Sequence, residues 1–402
     1  MLNRVKSILA SGCGSRRPGE GIQGSLPVGD TPGWIACDAI EQWRERERAG
    51  VLRKGKTLLI PQADRAFDPP LFFPNHTYQK GSEKGMILVR QAFYALHHSC
   101  SLLDWCSAGV QLDAYPSGDG HWTVNWSAKP SYGDIRSRLY IEHGWLPRWA
   151  YQISPDGTNA NSHIAEAFGR RQLHELNPGR LSVALEAVRE QFAVQLVPED
   201  VSSLREAIRT PFVLFAFQLA NDANLRDSGS VLKDYYSTAP DANVRFAQAC
   251  VDLVYASQPD YPVLFKQHPV DGSDLTSIKL RTGDRFVGNS QKISTHSLFA
   301  TGFCRLVVAV NSNTLHEASV WGVPAVALGT LVWKESGLTD RPYPKSLEDG
   351  LERVGKSIGE QPVLCLYLQH LIENQWTLND LMNPAKVKAL LEGDGRLVPN
   401  VF

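Results

Sequence analysis

Four short stretches of this chain hold residues whose types and spacing suit chemistry. Glu142 ends an apolar run, Leu139-Tyr140-Ile141, and is followed by His143-Gly144-Trp145. Asp222 follows a second run, Pro211 to Phe217, in the block Gln218-Leu219-Ala220-Asn221-Asp222-Ala223-Asn224-Leu225. A carboxylate at a strand end can serve as nucleophile, as a stabiliser of positive charge or as acid and base. The plain alternative for both is a cap on the element that follows. Lys266 and His268 stand two apart in Lys266-Gln267-His268-Pro269, directly after Pro262-Val263-Leu264-Phe265. Residues two apart on a strand share a face, so both can reach one phosphate, or else form an ordinary surface pair.

The fourth stretch is the richest. Arg305 to Val310 is apolar after its first residue, then comes the polar patch Asn311-Ser312-Asn313-Thr314, and Glu317 lies one turn later. A patch of this kind starts a helix, whose free N–H groups and dipole suit a phosphate. Glu317 can then accept from ribose hydroxyls or a base amine. Gly322-Val323-Pro324 turns the chain back into Ala325-Val326-Ala327-Leu328. A capped βαβ unit accounts for Ser312 without any ligand, but not for an acidic residue on the inner side of the helix. Paired carboxylates beside a phosphate site are the groups that glycosyl transfer uses: one meets the anomeric carbon, the other handles the acceptor proton.

Several patterns fail on context. Gly50-Val51-Leu52-Arg53-Lys54-Gly55-Lys56-Thr57 matches a phosphate loop by letter. That loop needs a strand before it and a helix after it, whereas here a charged helical stretch, Ala39 to Ala49, precedes and an apolar strand follows. No two aspartates stand at an i, i+2 spacing, so the acidic pair of many metal-dependent glycosyl transferases is missing. His97, His98, Cys100 and Cys106 fall in the helical spacing of Met86 to Trp105, where a core or solvated face is the simpler reading. No metal site is expected.

The elements that hold these residues read as α/β. Thr57 to Pro61, Leu139 to Ile141, Pro211 to Phe217, Pro262 to Lys266, Arg305 to Val310 and Ala325 to Leu328 have the apolar runs of buried parallel strands. Leu181 to Val194 is an amphipathic helix, and a further helix begins near Asn313. A chain of 402 residues exceeds the size of one core. A boundary near residues 195–210 divides it into an N-terminal half, 1–200, and a C-terminal half, 201–402. The formal net charge of −1 gives no field for nucleic acid. Seven cysteines without CxxC pairs fit a reduced compartment. No apolar run reaches the roughly 18–20 residues of a spanning helix.

Taken together and in order, these segments resemble the retaining β-Kdo glycosyltransferases of bacterial capsule and O-antigen assembly, the capsule polysaccharide biosynthesis family (glycosyltransferase family 99 type). The resemblance runs from about Leu139 to Asp340. Glu142-His143-Gly144-Trp145 is similar to the family's Glu-Asp-Gly-Phe block, with His143 in place of Asp. Gln218 to Asn224 resembles its Gln-x-x-x-Asp-Ala-Ser block, with Asn224 in place of Ser. Lys266 to Pro269 matches Lys-x-His-Pro, Ser312 to Val326 matches the Ser, Glu-Ala and Gly-x-Pro-Val block, and Gly337-Leu338-Thr339-Asp340 matches Gly-Leu-Thr-Asp. The two departures bear on donor or acceptor choice.

The resemblance implies a GT-B-type architecture, two Rossmann-like domains with the nucleotide sugar between them. It implies CMP-β-Kdo as donor, a glycan or glycolipid as acceptor, and retained configuration. On it Asp222 is expected as nucleophile, Glu142 as acid and base, and Lys266 and His268 as the groups that neutralise the departing phosphate. Asn311, Ser312, Asn313, Thr314 and Glu317 are expected around the nucleotide, with His268 also at the reacting centre. No cofactor and no nucleic-acid partner are expected, and the expected location is cytoplasmic, with peripheral attachment to membrane-bound assembly machinery left open. Two other classes stay open at this point: a GT-B-fold nucleotide-sugar epimerase, and a non-catalytic glycan-binding domain of a larger assembly.

Overall fold

The computed structural model describes residues 57–59, 71–73, 92, 95–96, 110–112, 122–126, 138–148, 150–194, 196–226, 230, 232–333, 340–393 and 395–396. The chain divides into two compact units. One holds residues 1–144, 149–158 and 375–399, the other 145–148, 159–374 and 400–402.

The first unit is built on a six-stranded sheet of β1 (Thr57–Leu59), β2 (Leu71–Phe73), β3 (Val110–Leu112), β4 (Trp122–Trp126), β5 (Arg138–His143) and β6 (Tyr151–Ser154). The strand order is β3-β1-β2-β4-β5-β6. β2, β4 and β5 run parallel, whereas β1 pairs antiparallel with both β2 and β3, and β5 with β6. Two sequence expectations change here. The run at Thr57 to Pro61 is a strand, but not a parallel one. The N-terminal sheet as a whole is mixed, where a Rossmann-like half would be mostly parallel. An apolar run reports burial and is silent on direction, which pairing with distant segments decides. Of the helix expected over Met86 to Trp105, Ala92, Ala95 and Leu96 are helical and buried, at the three- and one-residue steps of one helix face. The phosphate-loop look-alike up to Lys56, the stretch Ala39 to Ala49, and His97, His98, Cys100 and Cys106 lie outside the described residues.

The second unit carries a five-stranded, wholly parallel sheet: β7 (Phe212–Ala216), β8 (Val263–Lys266), β9 (Arg285–Val287), β10 (Cys304–Ala309) and β11 (Ala325–Ala327). Every residue of β7, β8 and β11 is buried. Its helices are α1 (His163–Gly169), α2 (Pro178–Ala193), α3 (Pro198–Ile208), α4 (Ala223–Arg226), α5 (Ala242–Ala256), α6 (Thr295–Ala300), α7 (Thr314–Val320), α8 (Leu347–Leu351) and α9 (Pro362–Glu373). Two more, α10 (Leu378–Leu381) and α11 (Pro384–Glu392), belong to the first unit. Phe215, Phe217 and Phe265 cluster with ring centroids 5.5–6.0 Å apart and form the centre of the core, with α5 against it through Phe246, Cys250 and Val254.

Helix α2 shows how local sequence sets an element. Asn177 accepts from the N–H of Arg180, Pro178 occupies the first turn, and Leu181, Ala184, Val188 and Phe192 form the buried stripe. That stripe lies against α7 and α9, and α3 packs on α6. Residues 159–208 therefore group with the second unit, and the compact division falls elsewhere than the expected 195–210. The break in pattern near Pro198 is only the short connection between α2 and α3. Among the described residues no helix is long and apolar enough to cross a membrane.

Candidate functional site

The sheet of the second unit has the order β11-β10-β7-β8-β9. From β7 the chain builds outward through β8 and β9, then crosses back to place β10 on the other side of β7. The loops leaving β7 and β10 therefore diverge, which opens a crevice at the carboxyl ends of the strands. A cavity of about 450 Å³ lies there. It is lined by Ala216 and Phe217 from the end of β7, Lys266 to Pro269 after β8, and Ser312, Thr314 and Glu317 after β10. The segment Gly288 to His296 and Arg148 complete its wall.

Lys266 is the last residue of β8 and His268 sits in the loop beyond, so the two do not share a strand face as expected, although both reach the cavity. Lys266 is 7% exposed, and burial lowers the pKa of its ammonium. Among the described residues its head meets only the carbonyl of Gln267, at 3.4 Å. A buried ammonium in that setting favours an anion beside it. The loop carrying His268 is pinned: Asn289 Nδ2 donates to the carbonyls of His268 and Asp271, both at 2.7 Å, and Gln267 Nε2 to that of Ser273 at 2.8 Å.

His268 Nδ1 accepts from the N–H of Val270 at 3.4 Å, which leaves the ring proton on Nε2. Burial first, then Arg148, lower its pKa; Asp222 and Asp271 pull the other way. His268 is therefore a neutral N–H donor at neutral pH, not the second cation expected beside Lys266.

Helix α7 begins at Thr314. Ser312 Oγ accepts from the N–H of Thr314 at 3.3 Å and donates to Thr314 Oγ1 at 3.1 Å. Asn313 precedes the helix in αR conformation without a side-chain cap. Glu317 is 8% exposed; burial raises its pKa and Arg148 opposes the rise. Its Oε2 lies 3.6 Å from His296 Nε2. His296 stacks on Phe192, ring centroids 4.2 Å apart, and its Nδ1 accepts from Trp321 Nε1 at 3.1 Å. Burial lowers its pKa to about 4.

Asn311 and Asn313 do not line the cavity. Asn311 ties three loops together instead: its N–H and Oδ1 pair with Gln218 at 2.9 and 2.6 Å, and its Nδ2 donates to the carbonyl of Asn224 at 2.8 Å. Asn224 Oδ1 accepts from Asn159, whose Oδ1 accepts from Trp145 Nε1. Asp222 lies inside this frame, half-buried, with Oδ1 accepting from the N–H of Asn224 at 2.9 Å. It is near enough to His268 to act on its charge, though it is not among the cavity-lining residues.

Glu142 belongs to the first unit. It is the fifth residue of β5, opposite Gln152 of β6, half-buried, and its Oε1 accepts from the N–H of His143 at 3.0 Å. Next to it the N–H of Gly144 meets the carbonyl of Ala150 at 2.5 Å. A Cβ on Gly144 would fall 2.7–2.9 Å from Ala150, so only glycine allows that approach. Of the Gly-Leu-Thr-Asp element, only Asp340 is described; it is exposed, 3.9 Å from Arg171.

Arg148 and His296 were not legible as site residues. Arg148 follows Pro147 in a segment without periodicity, and Ser294-Thr295-His296 reads as a plain capped helix start. Among the described residues no group of three or more His, Cys, Asp or Glu could hold a metal. Protein-family models give no match to this chain, and neither do curated proteins. Solved structures do. The chain is similar to Thermosulfurimonas dismutans KpsC, beta Kdo 2,7 transferase, at 14% identity and a TM-score of 0.40, covering 68% of this chain and 85% of that one. It is also similar to Thermosulfurimonas dismutans KpsC, beta Kdo 2,4 transferase, at 14% identity and a TM-score of 0.33, over 61% of this chain and 78% of that one.

Proposed function

We propose that the chain is a retaining glycosyltransferase that moves Kdo from CMP-β-Kdo to a bacterial surface glycan. The observation that carries this reading is the cavity at the switch of strand order in the second unit. Lys266, His268, Ser312, Thr314 and Glu317, singled out in two separate stretches of sequence, all line it. On this reading the second unit is the donor half of a GT-B enzyme. The CMP phosphate lies by Lys266, with the Nε2–H of His268 and the hydroxyls of Ser312 and Thr314 as donors, and Glu317 accepts from the nucleoside. Lys266 and Arg148 supply positive charge for the leaving group, so no metal is needed. Asp222 is the nucleophile and Glu142 the acid and base.

A ligand that binds only the folded chain stabilises it, by about 2.7 kcal/mol at a hundredfold excess over its Kd. CMP at millimolar concentration is expected to raise the Tm, and Lys266→Met to remove the rise. Unfolding scans with CMP, UDP and GDP side by side test the donor. A rise with UDP or GDP and none with CMP would sink the assignment.

A further inference from the structure

A second cavity, of about 300 Å³, shares no lining residue with the first. Its wall carries three cationic side chains, Arg341, Arg353 and Lys356, together with the first turn of α9 up to Leu364. Asp340 and Glu360 also line it; hydrogen bonds from Ser357 lower the pKa of Glu360, and the nearby Lys356 ammonium helps to lower it. Asp340 lies 3.9 Å from Arg171, and Glu360 accepts from the N–H and hydroxyl of Ser357 at 2.7 and 2.8 Å.

The two guanidinium groups have fixed neighbours. Arg353 Nη1 donates to the carbonyl of Pro342 at 2.9 Å and to Gln361 Oε1 at 3.2 Å. Among the described residues the Arg353 guanidinium makes no other hydrogen bond, and the Lys356 ammonium makes none. Arg341 lies over the ring of Trp333, 5.8 Å from its centroid. Two half-buried guanidinium groups and an exposed ammonium gathered at one cavity favour an anion there. Burial lowers the pKa of Arg353, and brings that of Arg341 down to about 10. Helix α9 adds main-chain donors. It has no side-chain cap and no acidic residue in its first turn, and its internal bonding begins with Cys365 N–H to Gln361 at 2.9 Å. The N–H groups of Val363 and Leu364 thus have no partner within the helix.

We infer that this cavity is a second anion site, built for a phosphoryl group. Guanidinium, ammonium and main-chain N–H groups together match its several oxygens. The ligand is either free phosphate or a phosphoryl group carried on a larger molecule, and neither depends on the donor reading. The test uses the full chain labelled with nitrogen-15 at valine and leucine, titrated with sodium phosphate at constant ionic strength. The amides of Val363 and Leu364 should move saturably. Lys356→Glu, an exposed position that leaves the fold alone, should weaken that binding about tenfold or more. Lys266→Met should leave it unchanged. Glycerol phosphate in place of phosphate separates the sources: equal binding means a carried phosphoryl group is admitted, and binding of inorganic phosphate alone means a free ion. The site is refuted if those amides stay still at tens of millimolar phosphate, if chloride moves them equally, or if folded Lys356→Glu binds as the parent does.

Discussion

His296 and Glu317 stand 3.6 Å apart in the first cavity, and Trp321 decides where the proton between them resides. Because Trp321 Nε1 donates to Nδ1, the neutral ring carries its hydrogen on Nε2, toward Glu317. Protonating His296 would set a second N–H against the indole donor, in a place where burial already disfavours charge. The folded state thus holds this ring neutral down to about pH 4, while the unfolded chain takes up a proton near pH 6.5. Between those values the unfolded chain binds more protons, so the stabilisation present above pH 6.5 is lost as the pH falls toward 4. His370, also at about 4, and His316, at about 3, act in the same sense. We expect His296→Phe to keep the stack on Phe192 but leave the indole donor without its acceptor, costing about 1–3 kcal/mol at neutral pH. It should also flatten the fall in stability between pH 6.5 and 4, read from urea midpoints against pH. An unaltered slope would mean that His296 does not hold its ring neutral. Lys266, His268, Ser312 and Thr314 were legible because they lie just past apolar runs, where strand ends present side chains to a ligand, and Glu317 because it lies one turn into the helix that follows. Arg148 comes from an irregular segment and His296 from the first turn of the short helix α6, and nothing in their neighbours points at the cavity.

Helix α7 is short, seven residues, and its two ends are set by different means. At the start, Ser312 and Thr314 bond to one another and leave Glu317 on the inner side. At the end, Gly322 takes a φ of +71°, its N–H bonds to Ser319 at 3.0 Å, and the N–H of Val323 reaches Ala318 at 2.9 Å. That pair of bonds is the Schellman arrangement, which releases the chain into Pro324 and β11. The Gly-x-Pro return was readable beforehand because glycine past a helix and proline just beyond it are both stop signals. A Cβ at Gly322 would meet nothing within 4 Å, so any cost of replacing it lies in the backbone alone. Gly322→Ala should therefore lower stability by about 1–2 kcal/mol, and Gly322→Asn should recover much of that loss, since asparagine tolerates the left-handed region. Equilibrium denaturation of the three proteins decides it; equal loss for alanine and asparagine would place the cost in packing. Gly144 differs: a Cβ there collides with Ala150 main chain, so the two glycines matter for unrelated reasons.

At the scale of the whole chain, the parallel sheet was legible and the mixed one was not. β7, β8, β10 and β11 are largely apolar runs separated by helices, the pattern of a sheet covered on both faces. β9 has one buried residue of three and was missed. In the first unit β1 was read as a strand but not its antiparallel pairing, and β2 and β3 span three residues each, too few for a period to declare itself. The contacts of α2 and α3 that set the compact units are long-range, and a break in local pattern carries no sign of them. On the proposed function, double displacement would have Asp222 attack the anomeric carbon as its bond to the CMP phosphate breaks, with CMP leaving with the electron pair. The acceptor hydroxyl then displaces Asp222 while Glu142 takes its proton. Phosphate is a good leaving group and needs little acid help, so Glu142→Gln should slow the second step far more than the first. Given CMP-Kdo without acceptor, that variant should accumulate protein heavier by one Kdo, and peptide mapping should put the added mass between Gln218 and Leu225. Asp222→Asn, close to isosteric, should keep the fold and lose most turnover. Mass found on Glu142 would reverse the two roles, and no adduct together with near-full activity of Asp222→Asn would rule out a covalent intermediate on Asp222.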